Sequence, residues 1–199
     1  MRSRVLAVLL LVVSPLTLVA AAGGPASAER WTHRDPAKDV YQQESGTVPA
    51  VKQGDITAVA MSYQRQSFVL DVKVRALHRE QWSYLDLFLD VPRAGGRTTS
   101  REIKYYFTID EGDDLGVFDP TAGVSVDCSP VTGTHSYKKS TLRIVVSQDC
   151  LGRRATKVTA GTYFYNAWRD LHGSYVQTDD GLRKGVHNRS GVSPELSRG

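Results

Sequence analysis

Four things are missing from this 199-residue sequence, and each absence removes a class of protein. There is no G-x-S-x-G, H-E-x-x-H, P-loop or G-x-G-x-x-G, so no nucleophile elbow, zincin helix or phosphate cradle is announced. Only two cysteines occur, and without a C-x-x-C they do not form a zinc ribbon or a redox pair. Basic residues are scattered, with Lys138-Lys139 and Arg153-Arg154 as the short pairs, so no basic stripe points to nucleic acid. Beyond the first residues no apolar run approaches the roughly twenty that a membrane-spanning helix needs.

What is present begins with a targeting pattern. Arg2 and Arg4 precede an apolar run from Val5 to Val13, interrupted at Ser14-Pro15, and small residues close it at Ala26-Ser27-Ala28. That layout predicts a secretory signal over 1–28, cleaved after Ala28. No cysteine stands at the cut and no adjacent arginines precede it, so neither lipidation nor twin-arginine export is expected. The reading is of a secreted, extracellular protein with no stable membrane anchor. Removing Arg2 and Arg4 leaves 23 Lys+Arg against 21 Asp+Glu, which makes the high pI of the whole chain a poor guide to partners. No nucleic-acid partner is expected.

Cys128 and Cys150 both fall after the signal, in a compartment where disulfides persist, and allow one pairing. Period-two alternation dominates the remainder. Phe68, Leu70, Val72 and Val74 alternate with Val69, Asp71 and Lys73; Leu85, Leu87, Leu89 and Val91 form one face of a second run; Ile103, Tyr105, Phe107 and Ile109 form one face of a third. Further strands are predicted at 56–63, 123–128, 142–147 and 156–166, with a short one near Tyr175, and Gly- and Pro-containing turns separate them. The pattern predicts an all-β, antiparallel β-sandwich of one domain. Residues 29–54 read as a polar lead-in with an edge strand near Val40-Tyr41, 55–178 as the sandwich, and 179–199 as a flexible C-terminal tail.

Three short features carry a resemblance: Asp35-Pro36 with Asp39-Val40, Gly54-Asp55-Ile56 opening the first full strand, and Cys150-Leu151-Gly152 ending a later one. In these the chain resembles a group of exported bacterial β-sandwich proteins of unassigned function. An opening Asp-Pro-x-x-Asp followed by Asp-Ile is, more distantly, similar to DOMON and family-nine carbohydrate-binding modules. The resemblance implies a jelly-roll-like sandwich and a sugar- or ligand-binding role. It does not extend to haem, because Met61 has no histidine partner at strand spacing.

Candidate chemistry is concentrated on one predicted strand. Opposite its core face it carries Trp82, Tyr84, Asp86, Phe88 and Asp90, and Tyr106 would face outward on the next strand. Rings mixed with carboxylates can stack sugar rings and accept their hydroxyl protons; Tyr163, Tyr165 and Trp168 could extend the patch. Aromatics also favour strands for packing alone. Asp35, Asp39 and Asp55 at loop ends could converge on a structural calcium ion, although Asp is equally at home in turns. Asp110-Glu111-Gly112-Asp113-Asp114 with Asp119 reads as an acidic turn. Ser136-Tyr137-Lys138-Lys139 matches S-x-x-K without its companion motifs, and the five histidines read as scattered surface residues.

Taken together, these features describe a non-catalytic binding module for carbohydrate or another cell-envelope component. The alternatives are a small secreted hydrolase using a carboxylate pair such as Asp86 and Asp90, about 7 Å apart at their Cα atoms, and a secreted protein-binding or inhibitor module.

Overall fold

In the strand β5 (Trp82–Pro92), Leu85, Leu87, Leu89 and Val91 are all fully buried, as a strand with one face on a core requires. The computed structural model describes residues 28–36, 40–45, 54–79, 82–108, 112–170, 173–183 and 191–199. The predicted signal therefore lies outside the described residues except for Ala28, as do Asp39 and Ile109. Around β5 the chain forms β1 (Glu29–His33), β2 (Tyr41–Ser45), β3 (Ile56–Tyr63), β4 (Ser67–Val74), β6 (Thr98–Thr108), β7 (Gly112–Asp119), β8 (Val124–Ser125), β9 (Val131–Ser136), β10 (Thr141–Ser147), β11 (Lys157–Asp170), β12 (Gly173–Asp180) and β13 (Leu196–Ser197). The helix among them, α1 (Gln148–Leu151), is a single turn.

Two antiparallel sheets pack face to face, giving the expected one-domain β-sandwich. The smaller runs β1-β3-β4-β10-β9 and the larger β2-β12-β11-β5-β6-β7-β8, with β13 continuing alongside β11. The core lies between them: Val59, Met61 and Tyr63 from β3, Phe68, Leu70 and Val72 from β4, and Leu142, Ile144 and Val146 from β10 meet Leu85, Leu87, Leu89, Ile103, Tyr105, Phe107 and Phe164. Met61, the methionine weighed for haem, is a core side chain.

Several polar groups inside the sandwich find the partners that burial demands. The Ser83 hydroxyl donates to Asn166 Oδ1 at 2.9 Å, the Tyr63 hydroxyl to the Ala155 carbonyl at 2.8 Å, and the Ile56 amide to Asp179 Oδ2. The Gly54-Asp55-Ile56 feature has a structural reason here. Gly54 sits at φ 79°, and a Cβ there would be 3.3 Å from Cβ of Asn166, so a side chain would be both strained and crowded where the turn lies against β11. Cys128 and Cys150 are bonded to each other across 22 residues of sequence, with Cα atoms 5.2 Å apart.

Three expectations change. The lead-in forms two strands, β1 on the smaller sheet and β2 on the larger. The acidic turn near residue 112 is strand β7, whose pairing with β6 spans Glu102 to Thr108. The stretch from 179 is not a loose tail where it is described: Asp179 and Asp180 are fully buried at the end of β12, Asp180 accepts the amides of Leu182 and Gly191, and Leu196 enters the core. Among the described residues no helix is long and apolar enough to cross a membrane.

Candidate binding face

Alternation along β5 sends Trp82, Tyr84, Asp86, Phe88 and Asp90 to the outer face of the larger sheet. Register then supplies their neighbours. Tyr84 stands opposite Tyr165 of β11 on one side and Tyr106 of β6 on the other. Its ring stacks on Tyr165 at 4.3 Å and 15°, and lies 5.1 Å from Tyr106 at 42°. Trp82 meets Tyr84 edge-on at 5.2 Å and leans over Tyr106 at 5.8 Å. The four rings form one cluster across three strands, half-buried except for Trp82, which is 44% exposed. Burial and the neighbouring Tyr165 hold the Tyr84 phenol well above its ordinary value.

The rings do not lie in one plane. Trp82 and Tyr84 are inclined by 67°, so their faces cannot stack one sugar plane together. Phe88 stands apart, edge-to-face with Tyr163 at 5.9 Å. The concavity lies at the other end, where Trp82, Tyr106, Thr108, Gly112 and Asp114 wall an open cavity of about 470 Å³. Thr108 was not singled out from sequence, and Asp114 only as part of the acidic turn. They reach the cavity through the β6–β7 register, which sets Tyr106 opposite Asp114 and Thr108 opposite Gly112, and no local pattern encodes that pairing.

Asp86 is also not what its position implied. It lies between Tyr163 and Lys104 in register but is only 4% exposed. Burial pushes its carboxyl up to about 7, with Lys104 opposing the shift and Glu102 adding to it. Its Oδ1 has no hydrogen-bond partner among the described residues. Lys104 is drawn to Glu102 at 3.0 Å instead. Asp86 therefore cannot serve as an open acceptor for sugar hydroxyls. Asp90 is exposed and accepts the Ser100 hydroxyl. One carboxyl of the pair weighed for hydrolysis is thus buried and the other solvated and engaged by Ser100, with Phe88 between them on the strand.

The calcium set fares similarly. Asp55 is buried and its Oδ2 is held by Arg75 at 2.6 Å, so its charge is already neutralised. Asp35 is buried near His33 Nε2, 3.9 Å away, and Asp39 lies outside the described residues. Among the described residues there is no group of three metal-ligating side chains.

The remaining motifs have structural roles. Ser136 of the S-x-x-K match accepts the Lys139 amide and caps a turn. Asp119 likewise holds the turn after β7, and the amides of Ala122 and Thr121 keep its carboxyl below the ordinary range. His135 is not a solvated surface residue: its ring stacks on Phe107 at 4.9 Å, and its Nδ1 is 2.8 Å from the Tyr105 hydroxyl. That hydroxyl also reaches Asp113 Oδ2 at 2.7 Å, closing the β6–β9 edge of the sandwich. His172 lies outside the described residues.

The fold and this face define an antiparallel β-sandwich carrying an aromatic cluster on the outside of its larger sheet. No family model matches the chain, and no curated protein matches it significantly.

Proposed function

We propose that the chain is a non-catalytic binding module, exported from the cell, whose ligand class is carbohydrate and whose contact point is Trp82. The observation that carries this is the half-exposed Trp82 ring at the rim of a cavity that also presents Tyr106, Thr108 and Asp114. Sugar C–H faces pack on aromatic rings, and a few polar groups at a concave rim fix the hydroxyls. Tyr84 and Tyr165 act from behind: stacked and half-buried, they hold Trp82 and Tyr106 in place and do not meet the ligand face-on. Asp114, exposed at the rim, takes the acceptor role expected of Asp86.

Export rests on the Arg2/Arg4, apolar, Ala26-Ser27-Ala28 order and on the Cys128–Cys150 bond, which persists in oxidising compartments. The resemblance to exported sandwich proteins and, distantly, to carbohydrate-binding modules points the same way.

A glycan array and polysaccharide pull-down on the chain from Glu29 onward tests the reading. Binding to neutral glycans with a change in tryptophan fluorescence is expected. Capture of no glycan, or glycan capture that survives Trp82→Ala unchanged, would overturn it.

A further inference from the structure

The outer face of the smaller sheet carries a different chemistry. Its centre is low because β3 turns Ala58 and Ala60 outward, and long side chains rise around that floor: Arg30 on β1, Arg34 just beyond it, Lys73 on β4, Arg143 on β10 and Lys139 in the turn before β10. Together they surround an open trough of about 700 Å³. A second hollow of about 220 Å³ shares Arg30, Ala60, Asp71 and Arg143 with it and extends to Gln64, so the depression runs along β3.

Charge in the trough is unbalanced. Among the described residues Asp71 is its one carboxylate, 3.4 Å from Arg143 in an exposed pair that contributes little. Among the described residues Arg30, Arg34, Lys73 and Lys139 have no carboxylate partner. The scattered basic residues of the sequence become a cluster only through register: Ala58 stands opposite Lys73, Arg143 opposite Asp71, and Thr141 opposite Lys73.

We infer that this trough binds an acidic polysaccharide, a chain carrying repeated carboxylate or sulfate groups. The cations do not converge on one point. Arg30 and Arg34 are separated by roughly 13 Å along the strand direction, and β1 and β10 by roughly 14 Å across three strand spacings. A single phosphate cannot reach such spread charges, whereas an extended polymer laid along β3 meets them in turn. Thr32, Thr134 and Thr141 add hydroxyls at the walls. Among the described residues the lining offers no Trp, Tyr or Phe ring for nucleobases to stack on. Its outward apolar side chains, Ala58 and Ala60, are too small to enter a bilayer interface. This site is on the sheet opposite the aromatic cluster and does not depend on it.

The test is a binding titration of polygalacturonate and dextran sulfate, with neutral dextran, duplex DNA and anionic phospholipid vesicles as comparison probes. Wild-type protein is expected to bind at least one acidic polymer and to ignore neutral dextran at this face, with log K falling linearly in log salt. Lys73→Glu and Arg30→Ala should each weaken binding at least tenfold and make the salt dependence shallower, while Asp71→Asn should strengthen binding. Trp82→Ala should leave acidic-polymer binding unchanged. Full binding by a Lys73→Glu variant with an unaltered circular dichroism spectrum would overturn the inference. So would absence of binding to both polymers, stronger binding to DNA or vesicles than to either, or loss of acidic-polymer binding in Trp82→Ala.

Discussion

Asp86 is the residue whose chemistry departs furthest from its place in the sequence. A carboxyl whose pKa rises to about 7 on folding prefers its proton in the folded state. The native protein therefore binds more protons than the unfolded chain between about pH 4 and 7, and stability from this group falls as pH rises through that window. A shift of that size corresponds to roughly 4 kcal/mol when Asp86 is fully ionised. Asp86→Asn keeps an acceptor and removes the charge. Urea denaturation should find the variant close to wild type near pH 4 and increasingly more stable than wild type towards pH 8. A wild-type advantage that grows with pH would mean that Asp86 is stabilised as a carboxylate by a partner. Gly133 poses a steric counterpart, because the Tyr105 ring of the opposite sheet occupies the space where its Cβ would be. Gly133→Ala should cost about 1–3 kcal/mol by overpacking, measurable as a lowered denaturation midpoint; no loss would show that the β6–β9 edge yields freely.

At the scale of elements, legibility followed burial. β4, β5 and β6 each have one face in the core, and their alternating Phe, Leu, Val and Tyr residues were readable as strands whose inward sets hold wherever they are described, Ile109 lying outside. β1, β7 and β9 were not read as strands. They lie at or next to sheet edges, and edge strands are kept polar and short in apolar content: Glu29-Arg30-Trp31-Thr32-His33 and Gly112-Asp113-Asp114 form strands because a neighbour pairs with them, not because of their own pattern. The same holds for β13, two residues placed by β11. The candidate site divides along this line. Outward placement of Trp82, Tyr84 and Tyr106 follows from period two and was legible. The burial of Asp86, the Asp114 rim and the cationic trough depend on cross-strand register, which a single sequence does not display.

The whole molecule is a sandwich with two chemically distinct outer faces, one aromatic and one cationic, held around a single core and stapled by Cys128–Cys150. Closing a loop of this size contributes roughly 3 kcal/mol by chain entropy. Cys128→Ala/Cys150→Ala protein should lose about that much stability in urea while keeping the far-ultraviolet spectrum of a β protein. An unchanged midpoint would place the sandwich's stability in the core alone. Neither outer face depends on the disulfide directly, so binding on both should survive its removal at temperatures where the variant stays folded.

The central claim, that the outer aromatic cluster presents Trp82 to a carbohydrate ligand, is tested most directly by measuring glycan affinity and unfolding free energy together for Trp82→Ala, using the glycan that wild-type protein captures. With the ring 44% exposed, its truncation should cost less than the about 3–5 kcal/mol of a core aromatic, and affinity should fall at least tenfold. A loss of several kcal/mol in stability with affinity retained would make Trp82 a packing residue and contradict the account.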